Sequence, residues 1–543
     1  MLKDKAKKLT TILILGLILS IILGGLSKNI LVPFIFLIII LLYLAKMGFK
    51  FKKPEKIKKV KEIKIKKIPT ISSIIYLIIL AIILYFFRPW IHELVMALYT
   101  RPSLIALVVF IALGAWFFKL KKNILVSIFA ILAALSFLVL TFNMIIVQNY
   151  IVQDTTYNNI DALPDSTDAR ILPRAVARRY LEDSLQKSRE KIGQLNIVNL
   201  KGKLMWTAPR VPDGFVLYFT QKVNGLMTAD ATNSGRKTSL ISKVLQIGED
   251  IGISDNVYWR LYKKRYFIDI GDIYYLFENE TVFTVAPVIA YKFKFPVMIP
   301  YYAGVFVLSQ EGKIGFYKPE QILTIKQFKN NRAYPEELAR LYVDSYKYHL
   351  GVLNTWFFHK DQIEISDVYG QLNKQPFLMP TIQGLKWIIA TEPYGESYGV
   401  FKIFLVDALT GKINMLELNE DQTLTGPVKV VSYVKKKFPR IDWATAKVVE
   451  PRPYVINGNL YWLLSITPYD FAGISYTVFV NSVDNDVIAF EKDNDVYNFI
   501  KEGVVEEEKL EEEEEEEIVS KEEKREKLIK EIEEKLEELK KLS

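Results

Sequence analysis

Five apolar runs in the first 150 residues, Leu9–Leu26, Ile30–Ala45, Ile68–Phe87, Pro102–Phe118 and Ile124–Val147, constrain this chain more than anything that follows them. A hydrocarbon layer about 30 Å thick is crossed by roughly 20 helical residues. The third and fifth runs meet that length, the first and fourth are marginal, and the second is short and carries Pro33. None of the five contains Asp, Glu, Lys or Arg. A transporter or channel is therefore disfavoured, because ion and proton paths need such groups. Only Ser27-Lys28-Asn29 separates the first two runs, which read as a tight helical hairpin. Gly24-Gly25-Leu26-Ser27 is a poor cleavage site and another apolar run follows at once, so the first run reads as a retained span rather than a signal peptide.

Lysine and arginine beside the spans set their orientation. Lys3, Lys5, Lys7 and Lys8 precede the first run, eleven lysines lie between Lys46 and Lys67, and Lys119, Lys121 and Lys122 follow the fourth. The alternate loops hold only Lys28, or Arg88, His92 and Arg101. With five crossings, all three basic clusters fall on one face. The expectation is a cell-membrane protein with its N-terminus in the cytoplasm and everything after about residue 150 outside it. The lysine-rich loop reads first as a topology determinant and second as a patch for anionic membrane lipids. Ile91–Tyr99 (IHELVMALY) is expected as a short interfacial helix on the outer face. Its His92-Glu93 lacks the second histidine of an HExxH zinc motif.

Beyond the spans the chain alternates like a globular protein. The formal charge of +10 averages a lysine-rich beginning and a glutamate-rich end, so it is no nucleic-acid footprint and no nucleic-acid partner is expected. There are no cysteines, which excludes disulfides, thiol catalysis and Cys-ligated metal.

The outer part repeats itself. Arg170-x-x-Pro173-x-x-x-Ala177-Arg178-x-Tyr180 recurs as Arg332-x-x-Pro335-x-x-x-Ala339-Arg340-x-Tyr342. Each copy is a helix start, because proline near the first turn forfeits no hydrogen bond. A second pattern runs from a glycine to a tryptophan, a proline and a further strand. Gly202 to Trp206, Gly384 to Trp387 and Gly458 to Trp462 open three copies, and a degraded fourth starts at Phe283. Each unit reads as a strand, a break, a longer strand and a tight turn into a third. The tryptophans are expected to fill the core under a sheet, the alternative being an exposed aromatic groove for peptide or glycan.

Phe404–Ile413 (FLVDALTGKI), with Asp407 and Gly411 in its turn, resembles the closing strand of PepSY-type domains, and Asn481–Phe490 resembles it more loosely. The Gly426-Pro427 helix start also fits that family's helix-then-strands order. The resemblance covers about ten residues closely and implies an extracytoplasmic α+β fold; no inhibitory site carries over from it. The expected fold is thus an α-helical membrane anchor of about five spans, then an α+β region of tandem PepSY-like helix-plus-antiparallel-sheet units, then a charged C-terminal helix. The expected divisions are 1–150 for the anchor, 151–325 and 326–500 for two outer halves, and 501–543 for the tail.

That tail carries ten glutamates within Glu506–Glu517 and then Glu/Lys blocks. Ile529, Ile532, Leu536 and Leu539 keep an a/d spacing for barely two heptads. A single charged helix is the first reading and a weak oligomerisation coil the second.

Catalytic constellations are sparse. Ser184-x-x-Lys187 and Ser254-Asp255-Asn256 echo penicillin-recognising serine enzymes. The third element is out of order, however, since Lys237-Thr238-Ser239 precedes the second and lacks its glycine. His349 and His359 have no partner spacing for a metal. Residues 161–170 (DALPDSTDAR) read as a linker rather than a calcium loop, and Asn279-Glu280-Thr281 is a glycosylation sequon. No catalytic residue, cofactor or metal is assigned. The leading expectation is a non-enzymatic envelope protein whose outer modules bind or scaffold a macromolecule, with a protein or peptide partner on the outer face. The alternatives are a membrane-bound extracytoplasmic enzyme or protease regulator, and a component of a secretion machine or virus envelope.

Overall fold

The computed structural model describes residues 81–503, apart from 83, 187, 326, 327, 329, 369–374, 396–398 and 419–423. The first two apolar runs, most of the third, the lysine-rich loop and residues 504–543 with their a/d seam lie outside the described residues.

Four helices come first: α1 (Arg88–Tyr99), α2 (Pro102–Lys119), α3 (Asn123–Thr141) and α4 (Asn143–Asp154). The helices α2 and α3 are apolar all round and almost wholly uncovered by the rest of the molecule. Both are long enough to cross a membrane, the 19 residues of α3 spanning about 28 Å at 1.5 Å each. They pack antiparallel, with the Phe117 and Phe129 rings stacked at 5.4 Å. Their near ends, at Pro102 and Thr141, therefore lie together, and Lys119–Lys122 lie at the far end.

The fifth apolar run is divided. The helix breaks at Phe142, and α4 docks on the folded region through Val147 and Ile151 against Val297 and Ile299. Val147 is apolar because it faces protein, with Ile146 partly covered beside it, whereas Met144 stays exposed. Gln148 fixes the docking by donating to Asp344 Oδ2 at 2.5 Å. The helix α1, expected over Ile91–Tyr99, starts three residues earlier, at Arg88. His92 secures it, stacking on Tyr262 at 3.6 Å and hydrogen-bonding the Tyr266 carbonyl at 3.0 Å. Burial pulls its pKa below the usual histidine value, as expected for a packed ring.

After β1 (Tyr157–Asn159) come four main sheets, each led by a helix and each built on an antiparallel meander, and one two-stranded ribbon. In the first, α5 (Arg174–Asp183) precedes β2 (Glu190–Ile192), β3 (Asn196–Leu200), β4 (Lys203–Pro212), then α6 (Phe215–Thr220), β5 (Leu226–Asp230) and β6 (Thr238–Ile241). In the second, α7 (Val257–Lys264) precedes β7 (Asp269–Ile270), β8 (Tyr274–Glu278), β9 (Thr281–Lys294), β10 (Val297–Ser309) and β11 (Ile314–Tyr317), followed by the single turn α8 (Pro319–Ile322). In the third, α9 (Glu336–Ser345) precedes β12 (Ile363–Ile365), β13 (Phe377–Thr381), β14 (Gly384–Pro393), β15 (Gly399–Val400), β16 (Lys402–Asp407) and β17 (Ile413–Glu417). Here β1 adds in parallel beside β17, and β15 leaves the sheet to pair with β18 (Leu424–Thr425). In the fourth, α10 (Val430–Lys437) precedes β19 (Ala446–Ile456), β20 (Asn459–Pro468), β21 (Tyr476–Asn481) and β22 (Val487–Phe490), and α11 (Asp493–Glu502) closes the described chain.

The sequence reading gave each unit three strands, but each has four, because a strand precedes the tryptophan-bearing one. In the first three units that leading strand is in two pieces, both paired with the same neighbour: β2 and β3 on β4, β7 and β8 on β9, β12 and β13 on β14. In the fourth it is one strand, with a bulge between Val449 and Arg452 at the corresponding place. Pro209 and Pro287 sit opposite the break. Their carbonyls accept from the Gly193 and Gly271 amides, each at 2.9 Å. A proline amide, had it existed, would have pointed to the same side, where the leading strand is interrupted, so proline forfeits nothing there.

The cores cross the units. One joins α5 and the first sheet to α9 and the third, from Trp206 and Leu181 to Trp387 and Phe404. Others join the first and second sheets, and the third and fourth. Residues 161–170 are a packed strap and not a linker. Leu163 is buried in the core shared by the third and fourth sheets. The Ser166 and Thr167 amides bond the Val455 and Pro380 carbonyls at 3.0 and 3.1 Å. The acidic, proline-containing sequence looked like a spacer because its backbone partners lie more than two hundred residues away.

Buried in the core of the first two sheets, Glu249 accepts a hydrogen bond from the Tyr275 hydroxyl at 2.8 Å. Burial pushes its pKa up to about 7 from 4.5. A carboxyl raised on folding stabilises fully below its unfolded pKa and loses that contribution as pH rises through the folded one. Stability should therefore fall between pH 4.5 and about 7, by up to roughly 1.4 kcal/mol per pH unit. Urea unfolding of E249Q at both ends of that range should show a flatter profile than the parent; an equal slope would remove Glu249 as the cause.

Candidate functional site

In three of the four units the residues marked out by repetition form a brace between the helix and its own sheet. Trp206, Trp387 and Trp462 occupy one register, three residues into their strands, opposite Ala229, Val406 and Val480 of the next strand. Each indole donates to a carbonyl just ahead of its unit's helix: Trp206 to Leu172 at 3.0 Å, Trp387 to Tyr334 at 3.2 Å and Trp462 to Thr425 at 2.7 Å. Leu172 and Tyr334 precede Pro173 and Pro335, which cap the helices and whose carbonyls accept the first helical bonds from Ala177 and Ala339. In the second unit Phe283 sits one place early, and the tryptophan position is taken by the buried Thr284.

The motif's arginines complete the brace. Arg170 lies over the Trp206 ring at 5.2 Å and Arg332 over Trp387 at 5.6 Å. Arg178 and Arg340 reach the carbonyls of Gly193 and Gln375, at 3.1 and 2.6 Å, where the leading strand is broken. Arg170 also pairs with buried Glu450, which accepts from the Arg174 amide at 2.9 Å and lies 3.6 Å from Arg452. Thus the bulge of β19 supplies the acid that caps α5.

Asp407 shapes the turn between β16 and β17, accepting from the Leu409 and Thr410 amides and from Lys386 Nζ. Gly411 has φ +79°, and a Cβ there would overlap the Tyr334 ring. G411A should therefore destabilise by about 1–3 kcal/mol, from left-handed backbone strain and displacement of a buried ring. Equilibrium unfolding checks this, and a change below about 0.5 kcal/mol, the scale of an ordinary surface substitution, would contradict it. Asn279 lies exposed at the tip of the β8–β9 hairpin, with φ +47°.

Two elements of the serine-enzyme pattern meet, at Ser184 and Thr238, while the Ser254-Asp255-Asn256 element opens α7. Ser184 Oγ donates to the Tyr180 carbonyl and lies 2.9 Å from Thr238 Oγ1, whereas Asn256 caps α7 by accepting from the Trp259 amide. Lys187 lies outside the described residues. No three metal-binding side chains converge among the described residues.

The feature that repetition does not explain is residues 350–360. Their outward side chains are apolar and exposed: Leu353 at 66%, Trp356 at 45%, Phe357 at 68% and Phe358 at 75%. Burying each would gain roughly 1.5–3 kcal/mol, so something must hold them out. The loop is clamped at its base. His349 Nε2 lies 2.9 Å from Asp361, closing the loop, and Asp361 is 3.0 Å from Lys402 Nζ, which is fully buried and also pairs with Glu417. Asn354 donates to the Lys360 carbonyl at 2.8 Å and accepts from its amide at 3.2 Å. Thr355 Oγ1 donates to Lys347 and Gly351 carbonyls.

Histidine, aspartate and buried lysine together suggest catalysis, but both imidazole nitrogens face acceptors, Asp361 and the Tyr346 carbonyl, and the ring stacks on Tyr346 at 4.4 Å. With both ring nitrogens occupied, the cluster braces the loop. Trp-Phe-Phe between polar neighbours was a visible signal in the sequence; the His349–Asp361 clamp, twelve residues apart, was not. No protein-family model matches this chain, and no curated protein does.

Proposed function

We propose that this chain is a multi-pass envelope protein whose four helix-plus-sheet units, PepSY-like in order and in the Asp407–Gly411 turn, are held outside the cytoplasm to bind or scaffold another macromolecule. The observation that carries this reading is the junction. Two bare apolar helices lead directly into α4, which is packed on the sheets, so the folded region is fixed to the anchor rather than tethered by a flexible linker. The lysines at the far end of the α2–α3 hairpin support the orientation. Shared cores make the units one broad body, and the exposed Ile382, Tyr469 and Val483 offer apolar contact points on its surface.

A photo-cross-linking residue placed in turn at 382, 469 and 483, in native membranes, tests the binding role. Discrete protein adducts at some positions and not others are expected. Absence of any protein adduct from all three would count against the proposal.

A further inference from the structure

We infer that the folded region rests on the bilayer it is anchored in, with two aromatic prongs, residues 353–358 and the β9–β10 hairpin tip at Phe293 and Phe295, seated among the lipid headgroups and upper acyl chains. The inference rests on the reading of α2 and α3 as membrane-crossing. These helices end together; one end touches the first prong, and the residues leading into the other touch the strand that carries the second. Phe142, the first residue past α3, lies 5.7 Å from Trp356. Tyr99, three residues before α2 begins, lies 4.7 Å from Phe267 and 6.3 Å from Tyr291. Tyr291 is in the strand that runs on to Phe293 and Phe295, exposed at 61% and 77%.

Both prongs are held rigidly. The first is closed by His349, Asp361 and Lys402 as described. The second is tied to α4, where the Tyr150 hydroxyl donates to the Phe295 carbonyl at 3.0 Å and Asp154 pairs with Lys292 and Lys294. A water-facing surface gains nothing from stiffly displaying Trp, Phe and Leu, whereas the interfacial zone of a bilayer favours aromatic rings with polar edges. Continuity with the helix ends selects lipid over a protein partner or a second copy.

The natural chain has no cysteine, so single spin labels can be placed without background. Positions 295 and 357, with 135 in mid-α3 and 483 in the β21–β22 turn as references, are examined in the full chain reconstituted in phosphatidylethanolamine/phosphatidylglycerol vesicles. Accessibility to oxygen relative to a water-soluble nickel chelate is read at each. Expected is a ratio several-fold higher at 295 and 357 than at 483, with 135 the highest. If 135 is in lipid while 295 and 357 match 483, the seating is wrong and the anchor stands. If 135 also matches 483, the anchor reading fails with it. Shielding of 357 from both reagents would place protein, a partner or a second copy, over the prong and overturn the lipid assignment.

Discussion

Replacing Trp462 by alanine should destabilise the folded region by about 3–5 kcal/mol, the range for deleting a large aromatic side chain from a core that relaxes only partly. Trp462 is fully buried in the core shared by the third and fourth sheets, and its indole holds the Thr425 carbonyl ahead of α10. W462F separates the two contributions. It keeps most of the volume but leaves that carbonyl unpaired, at a cost of about 1–3 kcal/mol. Equilibrium unfolding of the three proteins in one detergent is the check. If W462F were as stable as the parent, the indole bond would carry none of the helix-to-sheet brace, and the same argument for Trp206 and Trp387 would fall.

The second large effect is expected at Glu450. It is buried between Arg170 and Arg452, with relative exposures of 4%, 3% and 2%. E450Q removes the only carboxylate contacting two buried guanidiniums among the described residues, and breaking such a pair from one side costs about 3–5 kcal/mol. Burial and the Arg170 charge already hold Arg452 down to about 10, so the remaining cations would repel. Replacing all three together, R170M/E450L/R452M, should cost less than E450Q alone, because an apolar trio carries no desolvation penalty. A triple variant markedly weaker than E450Q would show that the ion cluster is a net stabiliser. Either result bears on how the first and fourth units are joined, since Glu450 also caps α5.

What the sequence disclosed, and what it hid, follows the range of the forces involved. The starts of α5 and α9 were legible to within a residue because proline acts locally, through its own ring and missing amide. The Asp407–Gly411 turn was legible for the same reason. The leading strand of each unit was not, because its pieces run two to five residues in three units, too short for alternation to register. By residue type Phe283 matches the tryptophan position, whereas the hairpin register gives it to Thr284; a hydrogen-bonding frame, not residue type, sets that alignment. The docking of Val147 and the packed strap at 161–170 are not legible locally, because their partners are distant in sequence. Apolar character does not say whether lipid or protein will cover it.

The central claim is that the sheets lie outside the cytoplasm on the face opposite Lys119–Lys122. Membrane-impermeant maleimide applied to intact cells carrying V483C or K121C in the otherwise cysteine-free chain tests it most directly. With the sheets outside, labelling at 483 is full in intact cells and labelling at 121 appears only after permeabilisation. The reverse pattern, with 483 protected until the membrane is opened, would contradict it.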